Sequence, residues 1–294
     1  MFSLVQARAL NFAAKLYEMK LRLLLLSCVI SFLNSCSSNN VEEDKSLGTY
    51  FRENKVTGCF GLYNNATNQF TFYNKKRFTD SSFLPASTFK IVNSLIGLQT
   101  GVITNDSMII RWDGVKRPVD AWNKDLSMYQ AFRVSAVPYY QEVARRIGKE
   151  RMEQWMDSIH YGAGPKDTVF RIKTAIDTFW LDNTLKLTPD EQLGLMKLLY
   201  FDQLPFFKPY QETVKRAMLF ENETTYRLSY KTGWGRNEKG NHLAWLVGWI
   251  EENNHPYFFV LNFESSDPGA DIPVIRMKLL KGILAQLGFF KGKM

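Results

Sequence analysis

The amino-acid sequence predicts an α/β fold of the α+β kind: an antiparallel sheet assembled from both ends of the chain, flanked by helices, with a helical region inserted between the strand-forming segments. Three observations predict it. Runs rich in β-branched and aromatic residues lie on either side of turn residues between 57 and 73, segments of helical period dominate from about 120 to 215, and strand-like runs return after 220. No internal repeat or low-complexity tract interrupts that order.

Composition agrees with a folded domain. With 294 residues, 45% hydrophobic and 22% charged, the chain can bury a sizeable core and lacks the signatures of disorder, collagen or coiled coil. The formal net charge is +8, but Lys and Arg are scattered, with no dense basic block interleaved with aromatics. That pattern argues against nucleic acid as a partner and suits a mildly basic cleft attracting small carboxylates.

At the N-terminus, Met19-Lys20-Leu21-Arg22 precedes an apolar run from Leu23 to Leu33, which is too short to span a bilayer as a mature helix and reads as an export signal. The following Leu33-Asn34-Ser35-Cys36 resembles a bacterial lipobox, which would make Cys36 the lipidated first residue of the mature protein. A plain signal cut nearby and a retained membrane-anchoring helix are the competing readings. Residues 1–18 lie ahead of the signal, as they would if the start were assigned too early. The expected organisation is a signal and lipobox over 1–36, a polar tether over 37–45, and one domain over 46–294. The expected location is the periplasm or the outer membrane, with membrane contact only through the lipid.

Cys28 lies inside the signal and Cys36 at its end, which leaves only Cys59 in the mature domain, so no intrachain disulfide can form. Cys59 lies in a strand-like stretch and reads as a small buried hydrophobe. The three histidines, His160, His242 and His255, form no His-Glu-x-x-His pattern and no metal-ligand spacing, so no metal is expected.

Within the domain, Thr57–Tyr63 and Gln69–Tyr73 flank Asn64-Asn65-Ala66-Thr67-Asn68, which predicts a hairpin. Ala86–Gln99 is an apolar helix closed by Gly101. Tyr139–Ile147, Arg151–Ser158 and Pro189–Tyr200 are helical, the last with Thr188 as N-cap and Glu191 completing a capping box. Strands are predicted at Thr225–Lys231, His242–Ile250 and Tyr257–Asn262, with a turn over residues 252–256 and a closing helix at Ile272–Leu287.

Three short elements carry chemistry. Ser87-Thr88-Phe89-Lys90 opens the apolar helix, and its i,i+3 spacing sets a hydroxyl and an amine on one face. Phe83, Leu84, Phe89, Ile91 and Val92 make the surroundings of Lys90 apolar, and desolvation favours a neutral amine. Such an amine can act as a base or add carbon dioxide to form a carbamate. Ser135-Ala136-Val137 offers a hydroxyl that can relay a proton beside a valine that keeps the pocket dry. Lys231-Thr232-Gly233, expected at a strand end, offers a cation and a hydroxyl for a carboxylate, with a glycine that admits close approach. Singly, each of the three is also compatible with an ordinary structural role.

Their order and spacing resemble the class D β-lactamases. The likeness extends to Trp112-Asp113-Gly114, Trp122-Asn123-Lys124-Asp125, Ala144-Arg145-Arg146-Ile147-Gly148, Phe179-Trp180-Leu181-Asp182 and Lys231-Thr232-Gly233-Trp234-Gly235, and covers about residues 56 to 285. The resemblance implies a β-lactamase/transpeptidase-like fold and β-lactam hydrolysis through a Ser87 acyl-enzyme, giving antibiotic resistance. It implies N-carboxylated Lys90 as general base, fed by carbon dioxide or bicarbonate with no other cofactor, and Trp180 hydrogen-bonding the carbamate. It further implies backbone N–H groups of Ser87 and Trp234 as oxyanion hole, Ser135 as proton relay, and Lys231, Thr232, Gly233, Val137 and Arg276 around the substrate. One departure stands out: Tyr161-Gly162-Ala163 replaces the family's usual Tyr-Gly-Asn, ahead of a longer segment reaching Trp180. A penicillin sensor and a cell-wall transpeptidase share the main motifs and form the alternatives, and the sequence leaves monomer and homodimer equally open.

Overall fold

The computed structural model describes residues 40–162 and 169–293. In chain order, strand β1 (Val41–Glu43) leads to helix α1 (Gly48–Glu53), strands β2 (Thr57–Asn64) and β3 (Gln69–Tyr73), and helix α2 (Lys75–Asp80). A 3-10 turn (Ala86–Phe89) opens helix α3 (Lys90–Gln99). Short strands β4 (Ile109–Ile110) and β5 (Leu126–Ser127) precede helices α4 (Met128–Arg133), α5 (Val137–Ile147), α6 (Lys149–Ser158), α7 (Pro189–Tyr200) and α8 (Lys208–Met218). Strands β6 (Leu219–Asn222), β7 (Arg227–Arg236), β8 (His242–Glu252) and β9 (His255–Ser265) follow, and helix α9 (Ile272–Gln286) closes the chain.

Seven strands form one sheet in the order β1-β3-β2-β9-β8-β7-β6, which joins the N-terminal hairpin to the C-terminal strands. Every pairing is antiparallel except β1 with β3, so the predicted antiparallel sheet is mixed at one edge. The hairpin turn is set by Asn64, whose Oδ1 accepts from the N–H groups of Ala66 and Thr67 at 3.0 and 3.3 Å. The turn between β8 and β9 narrows to Asn253 and Asn254, both at positive φ, the conformation that a tight two-residue hairpin requires.

Both sheet faces are covered. On β8, Trp245, Val247 and Trp249 pack toward the helical region, whereas Ala244, Leu246 and Ile250 pack toward α1 and α9. That two-residue alternation between two dry faces is why the strand reads as a continuous apolar run.

Several boundaries differ from expectation. Val41–Glu43, inside the predicted 37–45 tether, is a strand, because the open edge of β3 accepts its backbone in parallel register and the Asp44 N–H donates to Phe72 O at 2.7 Å. The first turn of the Ser87 helix is 3-10. Lys231-Thr232-Gly233 lies in mid-strand, since β7 runs on to Arg236 against β8. The capping box at Thr188 and Glu191 forms as predicted, with bonds of 3.1 and 2.6 Å.

Candidate active site

The nucleophile turn is held from three sides. Ala86 has φ +48°, an unfavourable conformation for a residue with a Cβ, and its N–H donates to Trp180 O at 3.1 Å. Thr88 Oγ1 donates to Pro85 O at 2.8 Å and itself accepts from Gln192 Nε2 on α7 at 2.8 Å. Trp245 Nε1 on β8 donates to Leu84 O at 2.9 Å. These bonds fix Ser87 where the 3-10 turn passes into α3.

Lys90, the first residue of α3, is fully buried and places Nζ 2.6 Å from Ser87 Oγ, donating to it as an ammonium. When the amine is neutral the contact can reverse, with the hydroxyl donating to the nitrogen lone pair. Burial alone lowers the Lys90 pKa to about 7. Among the described residues no carboxylate pairs with it, and aromatic side chains lie close by. Phe89 stacks on Trp180 with centroids 5.1 Å apart, and the Tyr140 ring centre lies 5.7 Å from Nζ. Trp180 is fully buried and its Nε1 has no hydrogen-bond partner among the described residues. A dry, unmatched donor in such a wall suits an anionic oxygen acceptor.

A second lysine–serine pair faces the first. Ser135 sits in the turn between α4 and α5 at φ +54°, with the Ala136 N–H donating to Ala131 O at 2.8 Å and Trp122 Nε1 donating to Val134 O at 3.0 Å. Lys231 Nζ donates to Ser135 Oγ at 2.9 Å. Lys231 is buried, and its pKa lies well below the ordinary lysine value, through burial first and then the charges of Lys90 and Arg276. Val137 begins α5 beside this turn, half-buried.

Strand β7 divides its residues between two faces. Lys231 and Gly233 register with Val247 and Trp245 on the helical side, and Thr232 and Trp234 with Leu246 and Ala244 on the side of α9. A Cβ on Gly233 would lie 2.9 Å from Pro85 O and 3.1 Å from Thr88 Cγ2. The close approach that Gly233 permits is therefore that of the nucleophile turn, a role different from the ligand approach expected of it. Arg276, on α9, has a buried Nε without a hydrogen-bond partner and no carboxylate paired with it among the described residues; burial lowers its pKa.

Ser87, Lys90, Ser135 and Lys231 thus come together, with Trp180, Gly233 and Arg276 around them. Cys36 and Ala163 fall outside the described residues. Cys59 is buried, with its thiol pushed up to about 12 by that burial, which fits the hydrophobe expected and not a nucleophile. No cluster of metal-ligating side chains occurs among the described residues, and none of their helices is long and apolar enough to cross a membrane. The bracing residues Gln192 and Trp245 had no motif to announce them; only the fold brings them to the turn.

Residues 52–281 match the family model of the penicillin binding protein transpeptidase domain. The chain is 36% identical over 245 residues to β-lactamase OXA-48 of Klebsiella pneumoniae, covering 83% of this chain and 89% of that protein. Among solved structures it is similar to the class D β-lactamase FUS-1 (OXA-85) of Fusobacterium nucleatum subsp. polymorphum, with a TM-score of 0.78 and 34% identity over 85% of this chain and 100% of the other. The C-terminal domain of the Bacillus licheniformis BlaR penicillin receptor also gives a TM-score of 0.78, at 29% identity, covering 87% of this chain and 99% of the other.

Proposed function

From the premise that this chain belongs to the class D β-lactamases, within the penicillin-binding-protein transpeptidase family, we propose that it hydrolyses β-lactam antibiotics through an acyl-enzyme on Ser87 and so confers resistance. The observation that carries the reading is the 2.6 Å contact between Ser87 Oγ and a buried Lys90 that has no carboxylate partner among the described residues and a pKa of about 7.

In acylation, Ser87 Oγ attacks the lactam carbonyl carbon and its proton passes to the base at Lys90. The backbone N–H groups of Ser87 and Trp234 receive the developing oxyanion. The lactam C–N bond breaks, and Ser135, held by Lys231, passes a proton to the leaving nitrogen and takes in its place the one that the base at Lys90 received from Ser87, so the base is free again. Lys231, Thr232 and Arg276 take the substrate carboxylate, with Val137 and the aromatic wall excluding water. In deacylation the base at Lys90 removes a proton from water, whose oxygen attacks the ester carbonyl; the bond to Ser87 Oγ breaks and the proton returns from the base to that oxygen, which restores both groups.

Lys90 is proposed to work in its N-carboxylated form. A buried amine with a pKa of about 7 holds a large neutral fraction near that pH, the form that adds carbon dioxide, and the unmatched Trp180 Nε1 is the donor that would hold the product. The carboxylated lysine supplies an anionic oxygen base in a dry pocket. The segment ahead of residue 40 fits this use: export and lipidation at Cys36 would place the enzyme in the periplasm or at the outer membrane.

The likeness to the BlaR receptor domain favours one second reading, a sensor that acylates and then stays acylated. Turnover separates the two. The mature domain is expected to hydrolyse a penicillin, to do so faster on addition of bicarbonate, and to lose turnover by at least about 1,000-fold in Ser87→Ala and Lys90→Ala. A folded protein that is acylated yet shows no hydrolysis at any bicarbonate concentration overturns the hydrolase reading.

A further inference from the structure

Trp234 follows Thr232 on the same face of β7 and is 46% exposed. It is nevertheless tethered: Trp234 Nε1 lies 3.0 Å from His242 Nδ1. An indole N–H can only donate, so Nδ1 is the unprotonated acceptor. The proton of the neutral imidazole therefore sits on Nε2, which donates to Pro268 O at 3.3 Å. His242 itself is buried at the start of β8, between Arg236 on β7 and Ser265 on β9. The Arg236 guanidinium turns away to Gly240 O at 2.8 Å.

One imidazole thus joins two walls. On one side is Trp234, whose backbone N–H the mechanism uses. On the other is the loop that ends in Asp271, the N-cap of α9, the helix that carries Arg276. Resting on the hydrolase reading, we propose that His242 is a positioning residue: tied through Nε2 to the loop that leads into α9, it holds the Trp234 indole in one rotamer and so presets the edge of the cleft that receives the carboxylate side of a β-lactam. A ring fixed in advance need not be ordered by the substrate, so the benefit falls on binding and leaves the chemical steps unaltered.

The test is a cycle of His242→Leu, His242→Asn and Trp234→Phe, read as KM and kcat for a penicillin. Asn sets an oxygen acceptor near the place of Nδ1, Leu removes the acceptor, and Phe keeps a ring without the N–H. His242→Leu is expected to raise KM about three- to tenfold with kcat within about twofold, the range of one lost hydrogen bond. His242→Asn is expected to stay within about twofold of wild type, and His242→Leu to add less than about twofold in the Trp234→Phe background. Equal KM losses for Asn and Leu, or a Leu effect undiminished without the indole N–H, overturn the proposal while leaving wild-type turnover, and with it the hydrolase reading, intact. If the protein is acylated without turnover, the same cycle is read as penicillin affinity on Ser87→Ala. The bond is also observable without substrate: 15N NMR of the imidazoles is expected to show His242 Nδ1 unprotonated and shifted by Trp234→Phe, and a protonated Nδ1 overturns the proposal.

Discussion

Lys90 and Lys231 are both buried, both contact a serine hydroxyl, and both lack a carboxylate partner among the described residues, yet their surroundings suit them to different work. Lys90 lies at the start of a helix against aromatic rings, and dryness alone brings its pKa to about 7. Lys231 lies in mid-strand facing other cations, and the charges of Lys90 and Arg276 add to the effect of burial. The first is an amine whose charge the dry pocket disfavours, so a large neutral fraction is present near pH 7. The second is an amine opposed by neighbouring cations; on the proposed function an incoming substrate carboxylate would relieve that opposition and restore its charge.

This contrast can be sharpened first at Lys90 without substrate. In carbon dioxide-free buffer, Lys90→Met is expected to stabilise the fold by about 1–4 kcal/mol at pH 7 while abolishing turnover. The sign follows from the folded pKa lying below the ordinary 10.5. Between about 7 and 10.5 the unfolded chain holds a proton that the folded chain lacks, so wild-type stability rises with pH and the advantage of Met shrinks over that window. Denaturant unfolding at several pH values checks this, and an advantage that is absent or grows with pH breaks the account of Lys90.

A smaller effect is expected on the cationic side. Arg276→Ala should raise KM for a carboxylate-bearing penicillin about tenfold, with little change in kcat. It also removes one of the charges that lower the Lys231 pKa, so the rise of KM as Lys231 deprotonates is expected to move to higher pH than in wild type. Steady-state kinetics across pH measures both. A loss confined to kcat would contradict the assignment of Arg276 to carboxylate binding.

Much of this was legible in the sequence, because the hairpin, the long strands and the capped helix at Pro189 depend on local patterning that survives into the fold. Ser87 and Lys90 were legible because three residues of helix bring them together; in the structure the turn is 3-10 and the pairing holds. What was silent depends on register. Val41–Glu43 has one apolar residue and pairs only because β3 leaves an edge open. Gly233 looked like an opening for ligand until β7 was laid against Pro85 and Thr88. Ser135 and Lys231, 96 residues apart, meet through a left-handed turn that no motif encodes, and His242 reaches Trp234 only through the β7–β8 ladder.

The central claim is that the base at Lys90 frees Ser87 after each acylation. Time-resolved mass spectrometry of the intact protein mixed with a penicillin tests it most directly. The account predicts an adduct of penicillin mass on Ser87 that appears and then decays, faster with bicarbonate present; an adduct that persists with bicarbonate in excess would contradict it and favour the receptor reading.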